Sequence, residues 1–331
     1  NIVEIRHHLH ANPELSFEEH ETSKFVAEEL ERIGVEFETG YVETGIVGLI
    51  KGKNPESKIT ALRADLDALP IHEQNDKPYK SKNEGVMHAC GHDVHTASLL
   101  GAANILNQVK DDFEGTIKLI FQPGEERLPG GASLMIKEGA LENPTPTSII
   151  GQHVYPQLEA GKVGMRPGMY MASADEIHVT IKGKGGHGAL PHNCIDPVVI
   201  TSHILVALQQ VISRRTKPGN PSVLTFGRVI ADGSTNIIPD EVTLQGTFRA
   251  MDEEWRLKAH SIMKKMAEQM AEAMGGSCDF DIRMGYPCVV NEEKLTKNSF
   301  SAAQDYLGIE NVALLEPRMT GEDFSYYSQQ M

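Results

Sequence analysis

The stretch GTIKLIFQPGEE, residues 115–126, decides the fold. Apolar and branched residues dominate it up to Phe121, the pattern of a buried strand. Pro123 cannot donate to a ladder, so the strand breaks there, with Glu125 and Glu126 just past its end. Outward from it, TGIVGLIKG (44–52) and KITALRADLDALP (58–70) read as two more strands, rich in branched residues and ended by Gly or Pro. Between these and the central strand, residues 93–109 are helical, with Ala97, Leu100, Ala103 and Leu106 on one side. Downstream come a short helix around residues 133–139 and the strand TSIIGQHV (147–154). Strands alternating with helices predict an α/β fold whose sheet is mainly parallel and flanked by helices. In such sheets ligands collect beyond the carboxyl ends of the strands. Asp65, Asp67, Glu125, Glu126 and His153 all fall at or just past strand ends.

Further upstream, NPELSFEEHETSKFVAEELERIG (12–34) predicts a helix. Ser16 with Glu19 three residues later has capping-box spacing, Phe25, Val26, Leu30 and Ile33 recur at helical intervals, and Gly34 stops the run. At MRPGMYMASADE (165–176) the pattern changes. From about residue 175 to 285 the order is strand, helix, strand, strand, helix, strand, which predicts a ferredoxin-like α+β sandwich. After Pro287 the chain is expected to rejoin the first domain. The expected division is therefore residues 1–172 with 286–331, and an inserted domain over 173–285.

A chain of 331 residues suits two domains. A net charge of -15 argues against nucleic acid and anionic membranes as partners. No apolar run has the length of a membrane span and no signal peptide is visible, although the chain opens directly on NIVEIRHHLH, so a leader could precede it. Four sparse, irregularly spaced cysteines suggest a reducing, cytoplasmic setting.

The coordinating groups concentrate in MHACGHDVHTA, residues 87–97. A thiol, three imidazoles and a carboxylate lie between His88 and His95, at a loop-to-helix entry. Cys90 and His92 are good donors for zinc and its neighbours. Of Glu125 and Glu126, one can bind metal while the other serves as a general base. Asp65 and Asp67 alternate and can orient a ligand histidine. His187, in the glycine-rich GKGGHGALPH (183–192), suits a mobile group that stabilises an oxyanion, against the plainer reading of an exposed loop histidine. No G-x-S-x-G elbow accompanies Cys90, which disfavours a nucleophile enzyme.

MHACGHDVHTA, QPGEE, GQHV, GKGGHGALPH, STNIIPD, GTFRA and GEDFSYY occur in the order found in the metal-dependent aminoacylase and amidohydrolase family, and the chain resembles it from end to end. Relatives in that family include hippurate hydrolases, auxin-conjugate hydrolases and N-acetyl-diaminopimelate deacetylases. The resemblance implies a catalytic domain split by an inserted lid that also forms a homodimer. It implies two divalent ions per subunit, zinc or manganese before cobalt or nickel, held by Cys90, His92, Glu126 and His153. It makes Glu125 the general base, Asp67 the orienting carboxylate and His187 a lid histidine that reaches the partner subunit. It places Asn236 and Arg249 against the substrate's acyl oxygen or carboxylate. The implied reaction is hydrolysis of a small N-acyl amino acid, with a dipeptidase or carboxypeptidase, or a non-catalytic metal-binding relative, as alternatives. The family also carries a last ligand histidine beyond the G-E-D-F segment; this sequence ends at Met331 without one, so the second ion is expected to lack a ligand here.

Overall fold

The computed structural model describes all 331 residues, Asn1–Met331. The chain divides into two compact units. The first comprises residues 1–165, 292–314 and 323–331, and the second 166–291 and 315–322.

The first unit is built on five strands, β1 (Glu36–Tyr41), β2 (Gly45–Lys51), β3 (Ile59–Asp65), β4 (Thr116–Gln122) and β5 (Ser148–Gly151), in the order β1-β2-β4-β3-β5. The central strand of the sequence reading, β4, is the central strand of the sheet. Its Leu119, Ile120 and Phe121 are fully buried, each contributing about 1.5–3 kcal/mol of transfer free energy. The one charge in its apolar run, Lys118, is buried too and donates to the carbonyls of Ala140 and Glu142.

The sheet is mixed, where the alternation of elements predicts a mainly parallel one. β3 runs parallel to β4 and β5, but β2 is antiparallel to β4 and to β1. Connection length is the reason. Three residues join β1 to β2 and seven join β2 to β3, and a parallel crossover takes a dozen or more. The two long connections carry α3 (His92–Gln108) and α4 (Gly131–Lys137) and give the parallel pairs. Helices α1 (Ile2–Ala11), α2 (His20–Ile33) and α3 share one core with the sheet, through Ile5, Leu9, Val26, Leu30 and Leu100. A second core lies about α4, with Ala132, Met135 and Tyr327 of the short α8 (Ser325–Ser328).

Helix α2 starts at His20, and the capping box does not form. Phe17 sits at φ 68°, so the chain turns between Ser16 and the helix. Ser16 Oγ instead donates to Asp67 Oδ2 at 2.6 Å, and the Glu19 carboxylate turns into the protein.

The second unit holds the four-stranded antiparallel sheet β10-β12-β8-β13, from β8 (Asp175–Lys182), β10 (Ser222–Ile230), β12 (Glu241–Ala250) and β13 (Ser277–Met284). Helices α5 (Pro197–Gln210) and α6 (Glu253–Ala273) pack on it through Ile200, Ile204, Trp255 and Met263. Short pairs complete the ladders: in the first unit β6 (Val163–Met165) with β15 (Val312–Leu314), and in the second β7 (Gly168–Met171) with β14 (Val289–Asn291) and β9 (Gly186–His187) with β11 (Ile237–Ile238). The surface helix α7 (Glu293–Leu307) precedes β15.

Candidate metal centre

Strand ends and one helix N-terminus of the first unit deliver the candidate coordinating residues. His92 opens α3, with Cys90 two residues before it. Gly91 between them is left-handed at φ 91°, and a Cβ there would lie 2.4 Å from Val154 Cγ2. Only glycine lets the turn sit against the segment that carries His153. Asp67 follows β3 rather than lying within it, Glu125 and Glu126 follow β4, and His153 follows β5.

His92 is fully buried. Its Nδ1 donates to the Asp67 carbonyl at 2.8 Å, with Asp67 Oδ1 at 3.2 Å. A neutral ring so held keeps its lone pair on Nε2. That nitrogen has no hydrogen-bond partner and lies 3.8 Å from both Glu126 Oε1 and Asp65 Oδ2. Glu126 Oε1 is likewise buried without a partner. Beside them Cys90 Sγ and His153 Nε2 are 3.3 Å apart, while His153 Nδ1 donates to the Val154 carbonyl at 2.7 Å. Donor atoms of Cys90, His92 and His153 come within 4.8 Å of one another, as do those of His92, Glu125 and Glu126. Orphaned buried polar atoms cost about 1–3 kcal/mol each. A thiol, two imidazoles and carboxylates around such atoms fit a divalent cation.

The electrostatics agree. Burial opposes charge on His92, but the Asp65 charge and the bond to Asp67 more than offset it and hold its pKa well above 6.5. Burial pushes Glu126 up, only partly countered by His92, and pushes the Cys90 thiol up as well. A cation binding here would compete with protons at His92 and at the Cys90 thiol. Burial also works against Asp65 and Asp67. For Asp65 the charges of Arg63, His92 and His95 prevail and keep it well below 3.8; for Asp67 the bond from His92 keeps it below that value.

Around the donors lies a fixed frame. Asp65 accepts from Arg63 Nη1 at 2.5 Å and from His95 Nδ1 at 2.6 Å. His95 Nε2 accepts from the Val154 amide at 2.9 Å, so both of its ring nitrogens are engaged in bracing. Arg63 also donates to Gln122 Oε1 and Asp323 Oδ1. The Asp323 amide in turn donates to Glu125 Oε1 at 3.3 Å. Asp67 Oδ2 accepts from Ser16 and from the Glu126 amide. Asp93 faces the other way, accepting from His10 Nδ1 at 2.8 Å and ion-paired with Arg6, whose Nε lies 2.8 Å away. Arg63, Gln122, Asp323, Ser16 and His10 carry no coordinating motif. The available signal was Arg63, a charge two residues before Asp65 on a strand that is otherwise apolar.

In the second unit His187 is exposed and belongs to a two-stranded ladder, paired with Ile237, rather than to a loose glycine loop. The Gly188 amide donates to the Asn236 carbonyl at 2.8 Å, which makes His187 and Asn236 neighbours. Arg249 is half-buried on β12, its Nε donating to Thr247 Oγ1 and its Nη1 2.9 Å from where a Cβ on Gly321 would sit. Burial holds its pKa below the usual value. No helix is long and apolar enough to cross a membrane.

Comparison with known proteins puts names to this geometry. Residues 61–331 match the model of peptidase family M20/M25/M40. The chain is 41% identical over 294 residues to an N-acyl-L-amino acid amidohydrolase of Geobacillus stearothermophilus, covering 89% of this chain and 79% of that protein. It is 40% identical over 331 residues to thermostable carboxypeptidase 2 of Saccharolobus solfataricus, covering 99% and 83%. Among solved structures it is similar to the Bacillus subtilis YXEP protein, described as a dinuclear metal binding peptidase from the M20 family. The match has a TM-score of 0.83 at 34% identity, over 100% of this chain and 85% of that one. The chain belongs to peptidase family M20/M25/M40 and is a metallo-amidohydrolase.

Proposed function

We propose that this chain hydrolyses the amide bond of N-acyl amino acids, releasing a carboxylate and a free amino acid. The observation that carries the reading is the pair of unpartnered buried atoms, His92 Nε2 and Glu126 Oε1, 3.8 Å apart beside the Glu125 carboxylate. Cys90, His92, Glu126 and His153 would hold two divalent ions, zinc or manganese before cobalt or nickel, with the thiolate favouring the softer metals. Bound there, such ions polarise the amide carbonyl and acidify water. Glu125 takes a proton from the attacking water and returns it to the leaving amine. Asp67 holds His92 in the tautomer that points Nε2 at the site. His187 donates to the developing oxyanion, and Asn236 and Arg249 hold the acyl oxygen and the free carboxylate of the substrate.

The second unit would serve as lid and homodimer surface. In support, β10 is an edge strand with exposed Val223 and Val229, and α5 exposes Val206. Sedimentation equilibrium checks this; a monomer at micromolar concentration would sink it. Four free thiols support a reducing, cytoplasmic setting.

The test of the reaction is Glu125→Gln with a panel of N-acyl amino acids. Metal content should stay and turnover should vanish; full activity would refute the assignment. A carboxypeptidase reading is kept because a relative of that name is as similar as the amidohydrolase. Comparing an N-acetyl amino acid with the matching dipeptide separates the two.

A further inference from the structure

Glu19 is a fully buried carboxylate with no place among the proposed ligands. It lies outside α2, at the end of the turn that displaces Ser16 from the helix. Three donors converge on it. Oε1 accepts from the amides of Phe17 at 2.9 Å and Gly124 at 2.8 Å, and Oε2 accepts from Thr44 Oγ1 at 2.8 Å. Burial and the charge of Asp67 push its pKa up, against the pull of these backbone bonds. Gly124 is the residue immediately before Glu125. Its carbonyl is held as well, accepting from the Gly131 amide at 3.0 Å. Its φ is +62°, and the Phe17 ring lies 2.3 Å from where a Cβ would stand. The turn that aims Glu125 is thus clamped on its amide, its carbonyl and its bare Cα face.

We infer that Glu19 is a positioning residue for Glu125, acting through the Gly124 amide and the Thr44 hydroxyl. The inference rests on Glu125 being the general base. Residues 15–19 then brace the base and the metal-facing carboxylates together, because Ser16 in the same turn holds Asp67, and Asp67 holds both His92 and the Glu126 amide.

The test compares Glu19→Ala, Glu19→Gln and Thr44→Val with wild type. In Glu19→Ala the buried Gly124 amide loses its acceptor. Hydrogen exchange of the peptide around Gly124 in the metal-free protein should quicken by at least about tenfold. In the metal-loaded enzyme kcat should fall by at least about tenfold with KM little changed, and the acid limb of the kcat/KM profile should shift, since it reports the free enzyme's base. Glu19→Gln keeps one oxygen for the two amides and should restore both readouts. Thr44→Val removes only the Oε2 contact and should give an intermediate effect, which serves if Glu19→Ala does not fold. Unchanged exchange together with wild-type kcat and pH profile in Glu19→Ala and Thr44→Val would overturn the inference. Equal loss in Glu19→Gln and Glu19→Ala would also overturn it. Faster exchange with unaltered kinetics would leave the clamp in place but refute its role in positioning the base. The Glu125→Gln experiment reads the base assignment independently of all three.

Discussion

Each unit contains a buried arginine–aspartate pair, and the two pairs end differently. In the second unit Arg256 donates to Asp175 through Nε at 2.9 Å and Nη2 at 2.5 Å. His260 and the Gly285 amide complete Asp175, and Gly285's carbonyl and Glu253 complete Arg256. These bonds close on backbone or on α6, and none of the buried unpartnered atoms belongs to the cluster. In the first unit Arg63 and Asp65 are equally buried, but their bonds lead on, through His95 to Val154 and through Asp323 to Glu125. Beside that network stand the two orphans, His92 Nε2 and Glu126 Oε1. A closed polar network holds a fold, whereas an open one with unmet atoms at its centre holds a place for something else.

The largest effect that would break this contrast belongs to Glu125. Glu125→Gln should lower kcat by about 10²–10⁴, with melting temperature and metal stoichiometry unmoved. A large stability loss with modest kinetic change would make the first network structural like the second. Next in size is Asp175→Asn. It leaves Arg256 buried without its counter-charge and should cost about 3–5 kcal/mol in urea unfolding, while metal affinity at a temperature where the protein stays folded is unchanged. Loss of metal along with stability would show the second network to be open after all. Asp65→Asn should do the reverse, lowering metal affinity or kcat by about 10–100-fold. Isothermal titration of the metal-free protein measures it, and wild-type affinity would remove Asp65 from the frame.

How far the sequence could foretell this follows the same division. Spacing singles out Cys90, His92 and the glutamate pair as candidates, because coordinating residues are crowded where an apolar pattern ends. The start of α3 is legible for the same reason. The sheet's direction is not, since hydrophobic pattern does not encode parallel or antiparallel pairing. The connection lengths do, and the seven residues between β2 and β3 were the missed sign. The polar, exposed β1 offers no apolar alternation, and α1 hides its periodicity behind three histidines, of which only His10 is buried. The capping box at Ser16 and Glu19 failed because both side chains answer to partners far along the chain, Asp67 and Gly124. Local spacing cannot see such bonds. The same holds for Arg63, whose Asp323 partner is 260 residues away.

The smallest effect, and the finest division between the networks, is in acid. Burial tends to raise Asp175, but the bonds from His260 and Arg256 win, and its folded pKa stands below 3.8. A carboxylate with a lowered folded pKa contributes stability that is fully present above its unfolded value and is lost as pH falls through the folded one. The part of the difference in unfolding free energy between wild type and Asp175→Asn that comes from ionisation of Asp175 should therefore narrow below about 4. Asp65 is also lowered, so the penalty of Asp65→Asn in the metal-free protein should narrow over the same range. Metal separates them. A cation bound only by the folded state adds stability that grows with its concentration, and its loss in acid begins wherever protons compete for His92 and Cys90. Metal-loaded wild type should thus begin losing stability at higher pH than metal-free wild type. Asp175→Asn should keep that early phase and Asp65→Asn should blunt it. If both variants kept it equally, the open and closed networks would be alike in function, and the distinction drawn from their unpartnered atoms would fail.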